Sequence, residues 1–393
     1  MLSHLLKLMW NKRRANGLIF LEILLAFVVL FGVYAFGFYN LDRYSSPLGF
    51  SYANSLGVRV DIADDLDSLA SIELQRRMVR EVGALPGVAS VSMLGPINPF
   101  GGNTWRTGSD DNGFDLNTMM VFADEHFAET MELKFRQGRW FTVADGAGKY
   151  DPIVVNGKFI DQYYPDRESM LDSVIQINGE KKIVGVVEDY KYHSNFAENM
   201  PLTFFTQQEY NPDGTDPFEQ LVIRAEPGRT AEIEEPLYNL LTDLTKNTDV
   251  VIWNMAQDRI KANRPVVIPL IILISISAFL LINIALGLFG VLFTQISHRR
   301  AEIGLRKAMG ATPVEITTQF VLEILIVTAA GLLLGTFFAV QVPLLELLPI
   351  PDRFFYLGIV AAIVTIVLIV VLCALIPSRQ AARLHPALVL HEE

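Results

Sequence analysis

The chain has 393 residues, 51% hydrophobic and only 19% charged, with a formal net charge of −11 and a single cysteine. One cysteine excludes an intrachain disulfide framework, and the acidic balance argues against nucleic acid as a partner. The averages also fit a chain with one membrane-embedded part and one water-exposed part.

Residues 1–16 carry Lys7, Lys12, Arg13 and Arg14 and read as a cytoplasmic N-terminal segment. Residues 17–39 form an apolar run long enough to cross a hydrocarbon core of roughly 30 Å. Phe36, Phe38 and Tyr39 at its far end lack the small-residue cleavage pattern, so this span is expected to stay as an anchor. Residues 40–264 hold 35 acidic and 21 basic residues and read as a mixed α/β extracytoplasmic domain.

Within that domain, Leu69, Ile72, Met78, Val79 and Val82 lie near helical spacing, predicting a helix from Ser68 to about Val82. A turn at 85–88 precedes a short strand ending at Leu94, and residues 95–113, rich in Gly, Pro, Asn and Asp, read as a long loop. A strand over 118–123, a short helix over 125–131, a strand over 152–156 and a helix ending near Tyr163 follow. Strands over 173–177 and 182–187 are joined through Asn178-Gly179, a strong hairpin signal. A strand over 218–225 and a helix over 230–244, with Ile233, Leu237, Leu240, Leu241 and Leu244 on one side, complete the pattern. The domain is long enough to fold alone, as one body or as two lobes split near the 95–113 loop.

Residues 265–296 are a second span, longer than a bilayer needs, with Pro265 and Pro269 near its outer start, where proline is tolerated in a first turn. It is expected to continue as a stalk under the ectodomain, with tilt as the alternative. Residues 297–312, SHRRAEIGLRKAMGAT, are charged and amphipathic between two apolar runs. Such a segment sits in water at one membrane face, and its expected task is to touch another protein. Residues 313–342 are a third span, 343–353 a short periplasmic loop, 354–376 a fourth span and 377–393 a cytoplasmic tail. Arg299, Arg300, Arg306, Lys307, Arg379 and Arg383 fall on the same side as the basic N-terminus if four helices alternate. The positive-inside rule then places both termini in the cytoplasm.

No phosphate-binding loop, dinucleotide fingerprint, zinc-protease motif or nucleophile elbow occurs in the sequence. His4, His126, His193, His298, His385 and His391 show no metal-ligand spacing, and Glu188 and Asp189 beside Tyr190, Lys191 and Tyr192 read as a polar turn. Neither catalytic residues nor a metal site is expected. Ionisable residues inside spans cost free energy unless paired. Glu22 and Glu323 therefore read as ion pairs or interfacial hydrogen bonds that fix helix packing, with a proton or substrate site as the alternative. Asn283 predicts an interhelical hydrogen bond, and Cys373 in the fourth span reads as packing.

RRAEIGLRKAMGAT (299–312) resembles the signature of MacB/FtsX-type permeases, the type VII ABC transporters. QFVLEILIVTAAGLLLG around Glu323 and PSRQAARLHPALVL from Pro377 are similar to that family's third helix and ending. LPGVASVSM, HFAETMELKFRQGRWF and IVVNGKFIDQYYP resemble the MacB-type periplasmic core, and GVVEDYKYHS (185–194) resembles Bacteroidota members. The resemblance implies a membrane α-helical fold with four transmembrane helices, both termini inside, and a large α/β domain between the first two, in the bacterial inner membrane. It implies a non-catalytic subunit driven by a cytoplasmic ABC ATPase dimer that binds ATP and Mg, paired with a second permease, identical or different. A periplasmic adaptor, outer-membrane or accessory protein is a further partner the family admits.

By this resemblance residues 297–312 are a coupling helix. Glu302, Arg306 and Lys307, with Arg299 and Arg300, make charged contacts to the ATPase, Ile303 and Leu305 anchor it, and Gly304 and Gly310 permit close approach or a helix end. Only 16 residues precede the first span, so the ATPase is expected on another chain; many Bacteroidota relatives are double-length, whereas this chain is one half-unit. Two functions follow: extrusion of a peptide, antibiotic or lipid-like amphiphile by mechanotransmission, or a non-transporting module acting on a periplasmic cell-wall hydrolase or sensor.

Overall fold

Strands apolar on both faces need cover on both faces, and that requirement organises the water-exposed part of the chain. The computed structural model describes residues 13–62, 68–206 and 220–382. Lys7, Lys12, Arg383, His4, His385, His391 and the start of the strand predicted over 218–225 lie outside them, as does the tail beyond Ala382. The chain divides into two compact units, with boundaries between Asp42 and Arg43 and between Pro265 and Val266.

In chain order the elements are α1 (Arg13–Ser45), β1 (Ser55–Val60), α2 (Ser68–Gly83), β2 (Val88–Leu94), β3 (Arg106–Ser109), β4 (Leu116–Ala123), α3 (Phe127–Thr130), β5 (Phe135–Gly138), β6 (Asp151–Asn156), α4 (Gly157–Tyr163), β7 (Val174–Gln176) and β8 (Glu180–Val187). They continue with β9 (Leu202–Thr206), β10 (Gln220–Ala225), α5 (Thr230–Thr245), β11 (Val250–Asn254), α6 (Met255–His298), α7 (Arg300–Ala308), α8 (Pro313–Leu344) and α9 (Asp352–Ala382).

The ectodomain unit is built on one sheet, in the order β11-β1-β10-β2-β4-β9-β6-β8-β5, with β3 on β4 and β7 on β8. Its pairs are antiparallel except β4 with β9 and β6 with β8. Alternation sorts β4 onto two faces. Leu116, Met120 and Phe122 join Met78 and Val82 of α2, Ile233, Leu237 and Leu241 of α5 and Phe159 of α4 in one core. Met119, Val121 and Ala123 join Phe127, Trp140, Phe204 and Tyr190 in the other. The first core runs from β11 to β8, and residues 43–265 form one compact unit, so the two-lobed alternative gives way to one body. The hairpin predicted at Asn178-Gly179 is present: both residues have positive φ (49° and 92°), and β7 pairs antiparallel with β8. The predicted loop over 95–113 contains β3, and Leu69, assigned to the buried face of α2, is exposed.

In the other unit, four helices are long and apolar enough to cross a membrane. Ile23, Phe27 and Leu30 of α1 pack with Leu288 of α6, Ile324 and Val327 of α8, and Ala362 and Ile366 of α9. Without a hydrophobic driving force between helices, small residues allow close approach and dispersion holds the contact. Gly358 is such a point: a Cβ there would stand 2.9 Å from the Ala35 backbone nitrogen and 3.1 Å from the Phe31 carbonyl oxygen. α6 begins at Met255, not at Pro265, and runs 44 residues, roughly 66 Å at ~1.5 Å per residue. Both prolines lie inside it.

Candidate functional site: the coupling loop and the ectodomain clamp

α7 is short because its ends are fixed chemically. Gly310 adopts φ 101°, and the N–H groups of Gly310 and Ala311 donate back to the carbonyls of Lys307 and Arg306, closing the helix with a left-handed residue. Thr312 and Glu315 then form a reciprocal capping box, with Pro313 in the first turn of α8.

Between those ends Arg299 turns inward and Arg306 reaches across to α8, while Arg300 and Glu302 are exposed. Arg299 Nη1 donates to both oxygens of Glu323, at 3.0 and 3.1 Å, with the two side chains only 12% and 10% exposed. Gln319 Nε2 donates to Glu323 Oε1 at 3.2 Å, Arg306 Nη1 donates to Gln319 Oε1 at 2.6 Å, and Arg306 Nη2 donates to Glu302 Oε1 at 2.6 Å. One continuous polar chain thus ties α7 to α8. Ile303 is 4% exposed and packs with Ile296, Ile316 and Phe320, whereas Leu305 and Met309 are 54% and 73% exposed. The two anchors expected from sequence therefore part company. Ile303 is an internal contact, because a nine-residue helix must bury one face on its own unit to hold its position. Arg300 and Gly310 are exposed, Gly304 is buried and Lys307 is half-buried. Gln319 and Met309 were not singled out from sequence. Helical spacing from Glu323 and from Leu305, four residues each, was the available signal.

The intramembrane polar residues do not converge. Glu323 is paired with Arg299. Glu22 lies against α6, its Oε2 2.9 Å from where a Cβ of Gly287 would stand. Asn283 Nδ2 donates to the Phe279 carbonyl of its own helix at 2.8 Å, not to another helix; bonding back one turn satisfies the amide without a partner span.

In the ectodomain unit, residues 188–198 do more than turn the chain. Lys191 is 3% exposed. Its ammonium donates to the carbonyls of Ser46 at 3.2 Å and Asn195 at 3.1 Å, and to that of Arg43. Arg43 and Ser46 lie at the C-terminal end of α1, where helix carbonyls lack partners and the helix dipole is negative; burial of the cation is compensated there. Arg43 pairs with Glu198 at 3.3 Å. Asn195 and Asn263 exchange hydrogen bonds of 3.1 and 3.0 Å, fastening the first turns of α6. His193 holds a left-handed backbone, φ 77°, with Nδ1 2.6 Å from the Gly101 carbonyl oxygen. At Gly49, φ 86°, a Cβ would collide with the Asp189 carbonyl, so only glycine lets these two segments cross. Burial raises the Tyr190 and Tyr192 hydroxyls above the ordinary tyrosine range, which leaves neither suited to general-base work near neutral pH. Among the described residues no group of three or more His, Cys, Asp and Glu is placed to hold a metal ion.

Two family models match. A MacB-like periplasmic core domain covers residues 23–237, and an FtsX-like permease C-terminal region covers residues 274–386. Macrolide export ATP-binding/permease protein MacB 1 of Yersinia pestis bv. Antiqua (strain Antiqua) is 24% identical over 277 residues, 68% of this chain and 42% of that protein. The match thus spans less than half the length of that relative. The ABC transporter permease YvrN of Bacillus subtilis (strain 168) is 24% identical over 288 residues, 67% of each chain. The crystal structure of the periplasmic region of MacB from Actinobacillus actinomycetemcomitans shares 13% identity and covers 55% of this chain and 95% of that one, at a TM-score of 0.38. With one model over more than half of the chain and the second over its C-terminal helices, the protein belongs to the MacB/FtsX family of ABC transporter permeases, a multi-pass membrane protein with a periplasmic MacB-like domain.

Proposed function

We propose that this chain is the permease half of a mechanotransmission device, driven by a separate cytoplasmic ABC ATPase dimer and paired with a second permease, that extrudes a peptide, antibiotic or lipid-like amphiphile from the periplasm. The observation that supports it best is the division of labour in α7. Its polar residues and the preceding Arg299 bind it to α8 through the Arg299–Glu323 network, and Leu305 and the flanking Met309 stay outside. A helix fixed on one face, with exposed apolar side chains on the other, is built to be pushed. Leu305, Met309 and Arg300 are assigned to the ATPase groove, and Arg299, Glu302 and Arg306 to the internal linkage, with Glu323 as its anchor in α8. Lys307 keeps its assignment to the ATPase.

α6 supplies the stalk, and its apolar surface is the least covered of the four helices, 6% buried against 44% for α1 and α8; lipid and the second permease account for that surface. Bacteroidota kinship rests on residues 185–194 alone. The alternative cargo-free function, acting on a cell-wall hydrolase or sensor, uses the same linkage.

Leu305→Asp with Met309→Asp, in the complex purified from its native membrane, is expected to release the ATPase or lower its activity at least tenfold, the size of a lost interface hot spot. An intact complex with unchanged ATP turnover would remove the docking assignment.

A further inference from the structure

β2 and β4 pair at a single position, Leu94 with Ala123, and then part, β2 continuing along β10 and β4 along β9. Where they diverge, α2 on one side and the segment from Phe141 to Gly146 on the other flank a half-open cleft of about 490 Å³, within the roughly 300–1,000 Å³ typical of small-molecule sites. Its apolar lining includes Ile72, Val79, Phe141 and Val143.

The polar lining has two signs. Arg76 and Arg80 stand four residues apart on one face of α2. Both are exposed, and neither is ion-paired with any described residue. Across from α2, the turn after β4 contributes Asp124, Glu125 and His126. Asp124 is already committed: its carboxylate accepts from Ser92 Oγ at 2.7 Å, Met93 N at 2.8 Å and His126 N at 3.0 Å, which fixes the seam and the turn beyond it. Glu125, with a side chain 42% exposed, is the acidic group left facing solvent; its one neighbour of opposite kind among the described residues is His126, Nε2 3.9 Å from Oε1, an ion pair only when that imidazole is protonated.

We infer that this cleft binds a short apolar peptide with free ends, its carboxylate held by Arg76 and Arg80 and its ammonium by Glu125. Paired guanidinium groups match a carboxylate in geometry as well as charge. A simple anionic amphiphile leaves Glu125 with no counter-charge but a protonated His126, and a simple cationic one meets the two arginines. A ligand with both charges separated by apolar groups matches the arginines, Glu125 and the apolar lining together. The site belongs to the ectodomain and does not depend on how the ATPase couples.

The test is calorimetry on the full chain in lipid nanodiscs, with leucyl-phenylalanyl-leucine, its N-acetyl and C-amide forms, and hexanoate as probes. The free tripeptide is expected to bind saturably, one per chain, and each capped form about tenfold more weakly, as for loss of one charge-assisted hydrogen bond. Arg76→Gln with Arg80→Gln should abolish the penalty for amidation alone, and Glu125→Gln the penalty for acetylation alone. All three positions are exposed, and an unchanged melting temperature checks the fold. No saturable binding of the tripeptide below about 1 mM, equal binding of capped and free forms, or binding of hexanoate in place of the peptide would each overturn the assignment.

Discussion

Glu323 stands three turns into an apolar helix, a position that a lone carboxylate does not keep at neutral pH without cost. Arg299 meets it from the loop with both carboxylate oxygens engaged, so removing the arginine leaves a buried charge unpaired. Arg299→Met is expected to destabilise the membrane unit by about 3–5 kcal/mol, read as a fall in melting temperature of the detergent-solubilised chain, with the reversed pair Arg299→Glu/Glu323→Arg recovering part of it. A melt indifferent to Arg299→Met would show that the carboxylate has other compensation. Asp124 supplies a prediction of opposite character. Desolvation raises its pKa from 3.8 to about 6, against the lowering effect of its bonds from Met93 and Ser92. The folded chain thus keeps this proton up to about pH 6, while the unfolded chain releases it near pH 4. The stabilisation is complete below pH 4 and is lost as pH rises through 6, on the order of 3 kcal/mol for a shift of about two units. Asp124→Asn does not titrate, so the stability difference between wild type and variant should narrow by that amount from pH 4 to pH 7. A constant difference would contradict the shift.

At the scale of elements, the spans were legible because twenty apolar residues in a row admit few alternatives, and α5 because its leucines keep a strict period. The start of α6 was not. Pro265 looks like a first-turn proline, yet the helix is opened earlier by Asn254, whose side chain accepts from Ala256 N at 2.9 Å. The polar residues between Asn254 and Pro265 belong to the ectodomain unit and hid the continuity from hydropathy. Short strands such as β1, β9 and β11 were missed for a related reason: each is five or six residues long and carries no turn pair like Asn178-Gly179 to mark it. Helix contacts are also set by what is missing. Gly358→Leu places a side chain against the α1 backbone at Ala35 and Phe31, which cannot yield as a side chain would. It is expected to cost about 1–3 kcal/mol and to loosen α1 from α9, measured as faster hydrogen exchange in both helices; unchanged exchange would mean that the contact adapts freely.

For the whole molecule, sequence conveyed the order of parts but not the wiring between them. The basic loop at 297–312 reads from sequence as a surface for a partner, while the polar chain from Glu302 to Glu323 exists only once α7 folds against α8. The EDYKYHSNF stretch read as a polar turn because nothing in a one-dimensional pattern shows a lysine enclosed by helix-end carbonyls. That enclosure makes Lys191 a clock. An ammonium sealed from water does not react with an acylating reagent; it must first be released, so its labelling rate measures how often the grip on the end of α1 lets go. Exposed Lys134 in the same domain provides the reference rate. Lys191 labelling in the purified complex should be far slower than that reference at rest, and should quicken when ATP is turned over if the stroke passes through this grip. A rate unchanged by ATP would mean that the ectodomain holds the helix rigidly throughout the cycle and moves as its passenger.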